Sequence, residues 1–554
     1  MDHQHTWPRA VRSLRKAPND REQCLALQHC CLLPIKRPAE LIEYMDALLF
    51  TLAFPYSEGN YRMALLERER LHDLLFRKQS SSTWQHALEG SGLPFSVLRC
   101  QFSADLASWF LEKFPEQVGP DEAQADHTYL SSLMQSVLPG IEFHDATQGK
   151  HTLWSRVRLL SRHRRNQAGL RWLLGLMKQQ NWNPPLSDIL YDQLKIFIRW
   201  NIGDSPFART HLRCPVSVVH YRRPGSEPAN SLAIIRQPLG KPLRLSEAQK
   251  HDLIAVARVS LACYLRETDP VTYADPAETF LYDMGHGLHI AVMGMNRSRV
   301  LALESYVGFM AFKNGIPVSY GGGWVFGYRC KIGVNIYPPF RGAGSDQLFC
   351  QVLRLYHQLF RIKKFVVKPY QFGKGNPEGL KSGAFWFYYR LGFRPVKDDI
   401  REQAAAEWKK LQTDPSYRTP VHILRQFTAC NKEWEPVPNR AVMLDADRVS
   451  MAVSRMIVAR FGGNRALAVA SAKKELSRFL GKKLPKDRWL DEDKIWTNWA
   501  LLMSLIEDKS QWTLQDKVAL TGLISERISG SEHAFIRKCQ QHIMFWKSLA
   551  ACIH

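Results

Sequence analysis

The chain lacks the features that would place it in a membrane or in an oxidising compartment. Its longest apolar candidate covers only residues 47–54, whereas a bilayer-spanning helix needs about 20 apolar residues. Residues 1–16 contain no apolar segment of the kind that a secretory signal carries. The 11 cysteines are odd in number and include no Cys-x-x-Cys pair, which argues against a disulfide framework and a zinc site. We therefore expect a soluble cytoplasmic protein with reduced thiols and no metal.

Acidic residues are also scarce, because 52 Asp and Glu stand against 75 Lys and Arg, which gives a formal net charge of +23. Such an excess predicts an anionic partner, and the phosphates of a small ligand, nucleic acid and an anionic membrane surface all fit. A small ligand alone would not need 75 basic residues, so nucleic acid or another polyanion is a second candidate partner. The simpler interpretation is that the charge only keeps the protein soluble.

A strand, a glycine turn and a helix follow one another within residues 329–360. The strand is predicted by period-two alternation, with one apolar side formed by Cys330, Ile332, Val334 and Ile336. Pro338 and Pro339 end it, because proline cannot donate a ladder hydrogen bond. Helical spacing then begins after residues 341–345, at Leu348, Val352, Leu355 and Leu359. The backbone N–H groups at the start of such a helix form a site for an anion.

Two common phosphate-binding loops are excluded at this turn. A P-loop would have a lysine directly after the second glycine, and the residue here is Ser345. A dinucleotide fingerprint would need a third glycine where the chain has Gln347. Farther on, residues 363–367 predict a second strand, and residues 382–393 predict a short aromatic helix that ends at Gly392.

These residues resemble the acyl-CoA-binding core of the GNAT superfamily of N-acyltransferases, over about residues 276–397. Gly342 and Gly344 match the two small residues of the family's turn, whose amides bind the CoA pyrophosphate. The family's Phe-Tyr-x-x-Leu-Gly-Phe pattern is matched by Phe387, Tyr388, Leu391, Gly392 and Phe393. The chain departs from the family at Pro339, where Gln or Arg is usual, and in a long Gly/Pro segment at residues 371–379.

The resemblance implies an acyl-CoA-dependent N-acyltransferase, in which an amine attacks the thioester directly. Acetyl-CoA or another acyl-CoA would be the co-substrate, and the acceptor amine stays unidentified. The residues implied to bind it are Val334, Ile336, Arg341, Gly342, Ala343, Gly344 and Ser345. A backbone N–H near Val334–Ile336 would polarise the thioester oxygen. Tyr388 would protonate the departing thiolate. Glu304, at the start of a predicted strand, is a candidate general base, or else an exposed charge.

The predicted fold class is α/β (α+β), a GNAT-like mixed sheet with flanking helices. We expect a helical domain over residues 1–200 and a β-containing connector over residues 201–275, with a possible hairpin near Ile234. The acyltransferase domain would cover residues 276–400, and a helical region would cover residues 401–554. Asn314-Gly315 predicts a hairpin turn, and the three glycines at 321–323 predict a bulge or a close ligand approach.

Three other clusters have both a functional and a structural interpretation. An arginine stripe at residues 155–171 could contact phosphates or could be a solvated face. Asp283, His286 and His289 would share one helical face, but adjacent glycines disfavour a helix, so we interpret the histidines as structural or substrate-lining. Lysines at 473–486 with tryptophans at 489–499 could bind single-stranded nucleic acid or could be solvated charge over helix-packing aromatics.

Two rival functions stay open at the level of sequence. One is a non-catalytic nucleic-acid-binding or scaffold protein with a degenerate acyltransferase core, which Pro339 and the net charge of +23 favour. The other is a transferase whose acyl donor is an aminoacyl-tRNA, since some GNAT-like folds use one. Salt-dependent nucleic-acid binding without acetyl-CoA affinity would select the first rival.

Overall fold

An eight-stranded mixed sheet occupies the middle of the chain. The computed structural model describes residues 7–121, 127–142, 153–161, 166–214, 219–222, 230–342, 344–485 and 491–553. The strands of the large sheet are β4 (Ala274–Asp283), β5 (Leu288–Met295), β6 (Ser305–Lys313), β7 (Ile316–Phe326), β8 (Arg329–Ile336), β9 (Lys364–Val367), β10 (Arg394–Pro395) and β11 (Lys432–Trp434). Their spatial order is β10-β11-β9-β8-β7-β6-β5-β4. The predicted α/β architecture with a mixed sheet is confirmed.

Strands β4 to β8 form an antiparallel meander in which each strand pairs with the next along the chain. The turn between β6 and β7 is the predicted Asn314-Gly315 pair, with φ values of +48° and +78°. Asn and Gly tolerate this left-handed conformation better than other residues, so the two residue types by themselves indicated the turn. Strands β9, β11 and β10 extend the sheet, and β11 lies beyond the predicted boundary at residue 400.

One step in the sheet is parallel, between β8 and β9. A parallel neighbour requires a crossover, and here it is α14 (Ser345–Phe360), the helix predicted from its leucine spacing. The chain between β9 and β11 contains the helices α15 (Pro377–Lys381), α16 (Ala384–Arg390), α17 (Asp398–Thr413) and α18 (Val421–Gln426). The predicted aromatic helix is α16, and Gly392 follows it with φ of +102°.

The three glycines of β7 make room for aromatic rings. A Cβ at Gly322 would come within 2.7 Å of the Tyr306 ring, and one at Gly323 within 2.5 Å of the Tyr356 ring. The pairing of β6 with β7 is continuous past these glycines, and its register shift lies between Ala311 and Phe312. The predicted bulge at residues 321–323 is therefore wrong.

The N-terminal region is mostly helical, but it contains a small antiparallel sheet that the sequence did not predict. Its helices are α1 (Trp7–Lys16), α2 (Asp20–Leu32), α3 (Pro38–Ala53), α4 (Glu58–Lys78), α5 (Ser82–Leu88), α6 (Ala104–Lys113), α7 (His127–Val137), α8 (Leu153–Leu160), α9 (Asn166–Gln179) and α10 (Pro184–Gln193). The strands are β1 (Val97–Cys100), β2 (Val118–Asp121) and β3 (Phe197–Asn201), in the order β1-β3-β2. The expectation of helix up to residue 200 is wrong at β3.

The connector contains the helices α11 (Ser231–Arg236), α12 (Glu247–Cys263) and α13 (Asp269–Thr272). Ile234, predicted in a hairpin, lies in α11, while residues 215–218 and 223–229 fall outside the described residues. Asp283 ends β4 and His289 lies in β5, so these residues flank a turn rather than share a helix, as the glycines between them indicated. His289 Nε2 lies 3.9 Å from Asp283 Oδ1, and the described residues contain no group of three or more potential metal ligands.

The C-terminal helices have a hydrophobic core of their own. They are α19 (Ala446–Phe461), α20 (Arg465–Leu480), α21 (Asp491–Met503), α22 (Leu514–Ser529), α23 (Glu532–Gln541) and α24 (Ile543–Ala551). The N-terminal helices and the large sheet share a second core. The two cores meet at the β7–β8 turn, where Gly327 has φ of +57° and a Cβ would overlap the Trp546 ring at 2.5 Å. Within the described residues, no helix combines the length and apolarity needed to cross a membrane.

A fully buried ion pair anchors the C-terminal helices to the large sheet. Arg527 is 0% exposed and binds Glu532 through two hydrogen bonds, one of them 3.0 Å long from Nη1 to Oε2. The same Nη1 donates to Ser305 Oγ in β6 at 3.1 Å, and the guanidinium lies 4.3 Å from the centre of the Phe535 ring. A buried guanidinium of this kind depends on its counter-charge.

We expect Glu532→Gln to destabilise the protein by about 3–5 kcal/mol, because it leaves the Arg527 charge buried without compensation. The measurement is urea unfolding followed by tryptophan fluorescence. Glu507→Gln is the matched control, since Glu507 pairs with Arg460 with 78% of its side chain exposed, and exposed pairs contribute about 0–1 kcal/mol. Equal losses in the two variants would contradict the structural role assigned to Arg527.

Candidate functional site

Strands β8 and β9 separate shortly after they begin to pair. Their ladder contains three residue pairs, the last of which joins Lys331 to Val366. On its other edge, β8 pairs with β7 over eight residue pairs, as far as Ile336. Residues 332–336 therefore have a partner strand on one side only. We call the opening that begins after Lys331 and Val366 the fork.

The strand alternation directs two backbone N–H groups of β8 toward the fork. Tyr337 N donates to Val318 O of β7 at 3.0 Å. Because backbone N–H groups alternate in direction along a strand, the N–H groups of Asn335 and Gly333 also point toward β7. The N–H groups of Val334 and Ile336 then face the opposite side, where the ladder with β9 has ended. A carbonyl oxygen placed in the fork could accept a hydrogen bond from Val334 N–H.

The glycine turn lies between the end of β8 and the start of α14. Gly342 has φ of +93° and Gly344 has φ of +60°, both in the region that glycine adopts most readily. Gly344 is the N-cap of α14 and has no side chain to satisfy the helix N–H groups. Gly342 N donates to Ser345 Oγ at 3.3 Å, while Ala343 lies outside the described residues. The predicted anion-binding turn thus precedes a helix of 16 residues.

Arg341 is attached to both sides of the fork. Its Nε donates to Ile336 O at 3.2 Å, and its guanidinium pairs with Glu378 of α15. The Arg341 guanidinium therefore stands beside the glycine turn, between the end of β8 and α15.

Tyr388 reaches the fork through Gln371. The Tyr388 hydroxyl donates to Gln371 Oε1 at 3.4 Å, and a Cβ on Gly333 of β8 would lie 2.8 Å from Gln371 Nε2. Tyr388 is 3% exposed, and burial raises the pKa of its hydroxyl above the ordinary value. The Phe349 ring of α14 packs edge-on against it, with 5.6 Å between ring centres. Tyr388 is therefore held as a neutral hydrogen-bond donor.

A buried lysine supports the helix that carries Tyr388. Lys432 in β11 is 0% exposed, and its Nζ donates to Phe385 O at 2.5 Å. Lys432 Nζ lies 3.1 Å from the centre of the Phe385 ring and 5.7 Å from that of Tyr389. Burial, with the nearby charge of Arg394, lowers the pKa of Lys432 well below that of an exposed lysine.

Glu304 lies directly before β6 and binds Lys331 at the base of the fork, with 2.8 Å between Oε1 and Nζ. Lys331 also approaches Asp447 of α19 at 3.4 Å. Val334 is three residues farther along β8, which corresponds to about 10 Å. The candidate base is thus near the fork, but it is engaged in an ion pair.

A cleft of about 950 Å³ opens beside the glycine turn. Its charged lining residues are Arg12, Arg15, Lys16, Arg222, Arg341, Glu43 and Asp46. We call it the basic cleft. Arg15 of α1 is fixed against the turn, because its Nη2 donates to Pro339 O at 2.8 Å. Asp46 is neutralised by Arg209, with 2.6 Å between the charged atoms.

The remaining sequence candidates do not converge on the fork. In the arginine stripe, residues 162–165 lie outside the described residues, and Arg171 donates to Leu111 O at 2.9 Å. Trp496 and Trp499 are buried in the C-terminal core, which confirms the packing interpretation for these two. Lys473 pairs with the buried Asp493. The contacts of Arg171, Lys473, Trp496 and Trp499 with the rest of the protein therefore explain their positions, and no ligand is needed to do so.

Sequence reasoning missed Gln371, Lys432, Arg15 and Arg222. Gln371 belongs to the long Gly/Pro segment at residues 371–379, and Lys432 stands next to a glutamate as an exposed lysine would. Only the three-dimensional contacts separate them from their neighbours. Comparison of the chain with family models, with curated proteins and with solved structures finds no match.

Lys432 predicts a specific pH dependence of stability. Because its pKa is lower in the folded than in the unfolded protein, the unfolded chain binds the proton more tightly, and stability rises with pH between the two pKa values. We expect Lys432→Met to raise the free energy of unfolding at pH 7 and to flatten its increase between pH 7 and pH 10.

The measurement is urea unfolding at several pH values in that interval. Lys474→Met, at an exposed lysine of α20, is the control and should leave the pH slope unchanged. A variant at Lys432 that keeps the wild-type slope would show that the lysine is charged in the folded protein.

Proposed function

We propose that the protein is an acyl-CoA-dependent N-acyltransferase that transfers an acyl group to an amine by direct attack. The observation that carries this proposal is the fork between β8 and β9, which opens next to the glycine turn at the start of α14. An extended acyl-thioester arm could enter the fork while its phosphates stay at the turn. The order of strand, turn, helix, strand and aromatic helix on which the GNAT resemblance rests also supports it.

Donor binding would use the backbone more than side chains. The N–H groups of Gly344, Ser345 and the first turn of α14 would bind the pyrophosphate, and the helix dipole adds to that attraction. Val334 N–H would donate to the thioester oxygen, which gains negative charge as the amine attacks. Both sets of donors are fixed by secondary structure, so they need no rearrangement during the reaction.

Tyr388 would act on the sulfur of the leaving thiolate. Its raised pKa keeps the hydroxyl protonated at neutral pH but also makes it a weaker acid than an exposed tyrosine. The hydroxyl, whose single proton is donated to Gln371 Oε1, would have to turn from Gln371 to the departing thiolate, which it would then stabilise by donating a hydrogen bond. Complete proton transfer to the thiolate would come from the protonated amine or from water.

The amine must lose a proton as the amide forms, and Glu304 is the nearest predicted base. Its ion pair with Lys331 places it about three residues of strand before Val334. Glu304 would take the proton only through an intervening water. The acceptor amine is not identified by these contacts.

A polyanion-binding protein with a degenerate core is the second candidate, and the excess of cations around the basic cleft favours it. Thermal melting separates the two functions. Acetyl-CoA at about 100 times its dissociation constant should stabilise an acyltransferase by about 2.7 kcal/mol. Absence of this shift, together with salt-dependent binding of RNA, would select the second candidate.

We expect Tyr388→Phe to lower kcat by about 10²-fold or more, because it removes only the hydroxyl that would donate to the leaving thiolate. The assay follows thiol release from acetyl-CoA with a panel of primary amines, and acetyl-CoA affinity should change little. Tyr389→Phe is the matched control, since it removes the next hydroxyl of the same helix. A Tyr388 variant with the wild-type rate would make that residue structural.

We expect Gly344→Glu to abolish CoA binding while the fold is retained, because a carboxylate would stand where the phosphates approach. A Cβ at Gly344 meets no atom within 4 Å, so the side chain has room but blocks the ligand. The control is Gly481→Glu, which has a similar positive φ of +64° and equally open surroundings. Calorimetric titration with CoA measures the effect, and unchanged affinity in folded Gly344→Glu would refute the role of the turn.

A further inference from the structure

The basic cleft joins two parts of the chain that are far apart in sequence. One wall contains Arg341 and Gly342 of the turn, and the other contains residues of α1 and α3. Arg15 connects the walls, since it donates to the carbonyls of Pro339 at 2.8 Å and Pro338 at 3.4 Å. The N-terminal helices therefore lie directly against the turn that we assign to the donor pyrophosphate.

The cleft has more positive charge than its internal ion pairs require. Five cationic side chains line it against two carboxylates. Asp46 is paired with Arg209, and Arg341 with Glu378, and both of these partners lie outside the lining. The other four cations of the lining stand against one carboxylate, Glu43. Arg222 lies over the Tyr56 ring at 5.2 Å, and Arg15 lies over the Phe50 ring at 5.7 Å. Both rings are buried beneath their arginines, so the cleft presents cations to a ligand rather than aromatic surface.

The dimensions favour a nucleotide over a folded nucleic acid. A volume of about 950 Å³ is at the upper end of small-molecule pockets. RNA contacts usually extend over a broad basic surface, whereas these cations converge on one concave site that adjoins the fork. Arg and Lys side chains suit the phosphate oxygens of such a ligand.

We propose that the basic cleft binds the nucleotide end of the acyl donor, so that the N-terminal helices form part of the donor site. The chemical class is a nucleotide with more than one phosphate group, of which CoA, with its pyrophosphate and its 3′-phosphate, is the representative. This inference rests on the proposed function, because the fork determines the direction of the acyl arm. Arg12, Lys16 and Arg222 are the cations available to a phosphate beyond the pyrophosphate.

Calorimetric titration of CoA and of 3′-dephospho-CoA into the full-length protein tests this assignment. The variant is Arg12→Gln/Lys16→Gln/Arg222→Gln, and the control Arg455→Gln/Lys474→Gln/Lys483→Gln makes the same charge change at exposed residues of the C-terminal region. In the cleft variant, CoA affinity should fall about 10-fold or more, the factor that corresponds to one lost charge-assisted hydrogen bond. Its preference for CoA over the dephospho form should shrink, while the control keeps both.

Three results would overturn the inference. Wild-type CoA affinity in the cleft variant would leave the acyltransferase proposal intact and remove the N-terminal helices from the donor site. An equal loss in the control would show a general effect of charge. A wild-type protein that binds neither CoA form, but binds transfer RNA through the same three residues, would remove the proposed function together with this inference.

Discussion

Backbone hydrogen bonding between β8 and β9 stops after three residue pairs, and the candidate site depends on that early end. β9 has only four residues, and Pro369 follows it two positions later. The ladder has already ended at Val366, and Pro369 begins the next element. The chain turns instead into a short 3-10 helix, Pro369–Phe372, which brings Gln371 over Gly333. The segment that follows the strand thus supplies Gln371, which accepts a hydrogen bond from Tyr388.

Three separate segments hold the edges of the fork. Arg15 of the N-terminal helices binds the carbonyls before the glycine turn. Arg341 connects the end of β8 to α15. Lys432 of β11 packs beneath α16 and binds its Phe385 carbonyl. Because these contacts come from residues hundreds of positions apart, the site requires the N-terminal helices and the end of the sheet to fold together.

Local patterns predicted the elements whose signals lie within a few residues. Alternation located β8, leucine spacing located α14, and Asn314-Gly315 located the hairpin. The small N-terminal sheet was missed because its strands have four or five residues, and β3 pairs with β1 about a hundred residues earlier. Such strands are stabilised by distant partners rather than by their own pattern. Gln371 and Lys432 were missed for the same reason, since burial and contacts distinguish them and residue type does not.

Along the proposed donor path, charged side chains lie mainly at one end and neutral hydrogen-bond donors at the other. Cations concentrate in the basic cleft, at the end that would hold phosphates. At the other end, Lys331 and Glu304 neutralise each other, and burial favours the uncharged forms of Tyr388 and Lys432. A cation near the fork would stabilise the thiolate of a free product and so hinder its release. Neutral donors such as Val334 N–H and the Tyr388 hydroxyl gain strength in a site of low dielectric, and they respond to charge only as it develops. The separation therefore allows tight anchoring of the donor at one end without trapping the product at the other.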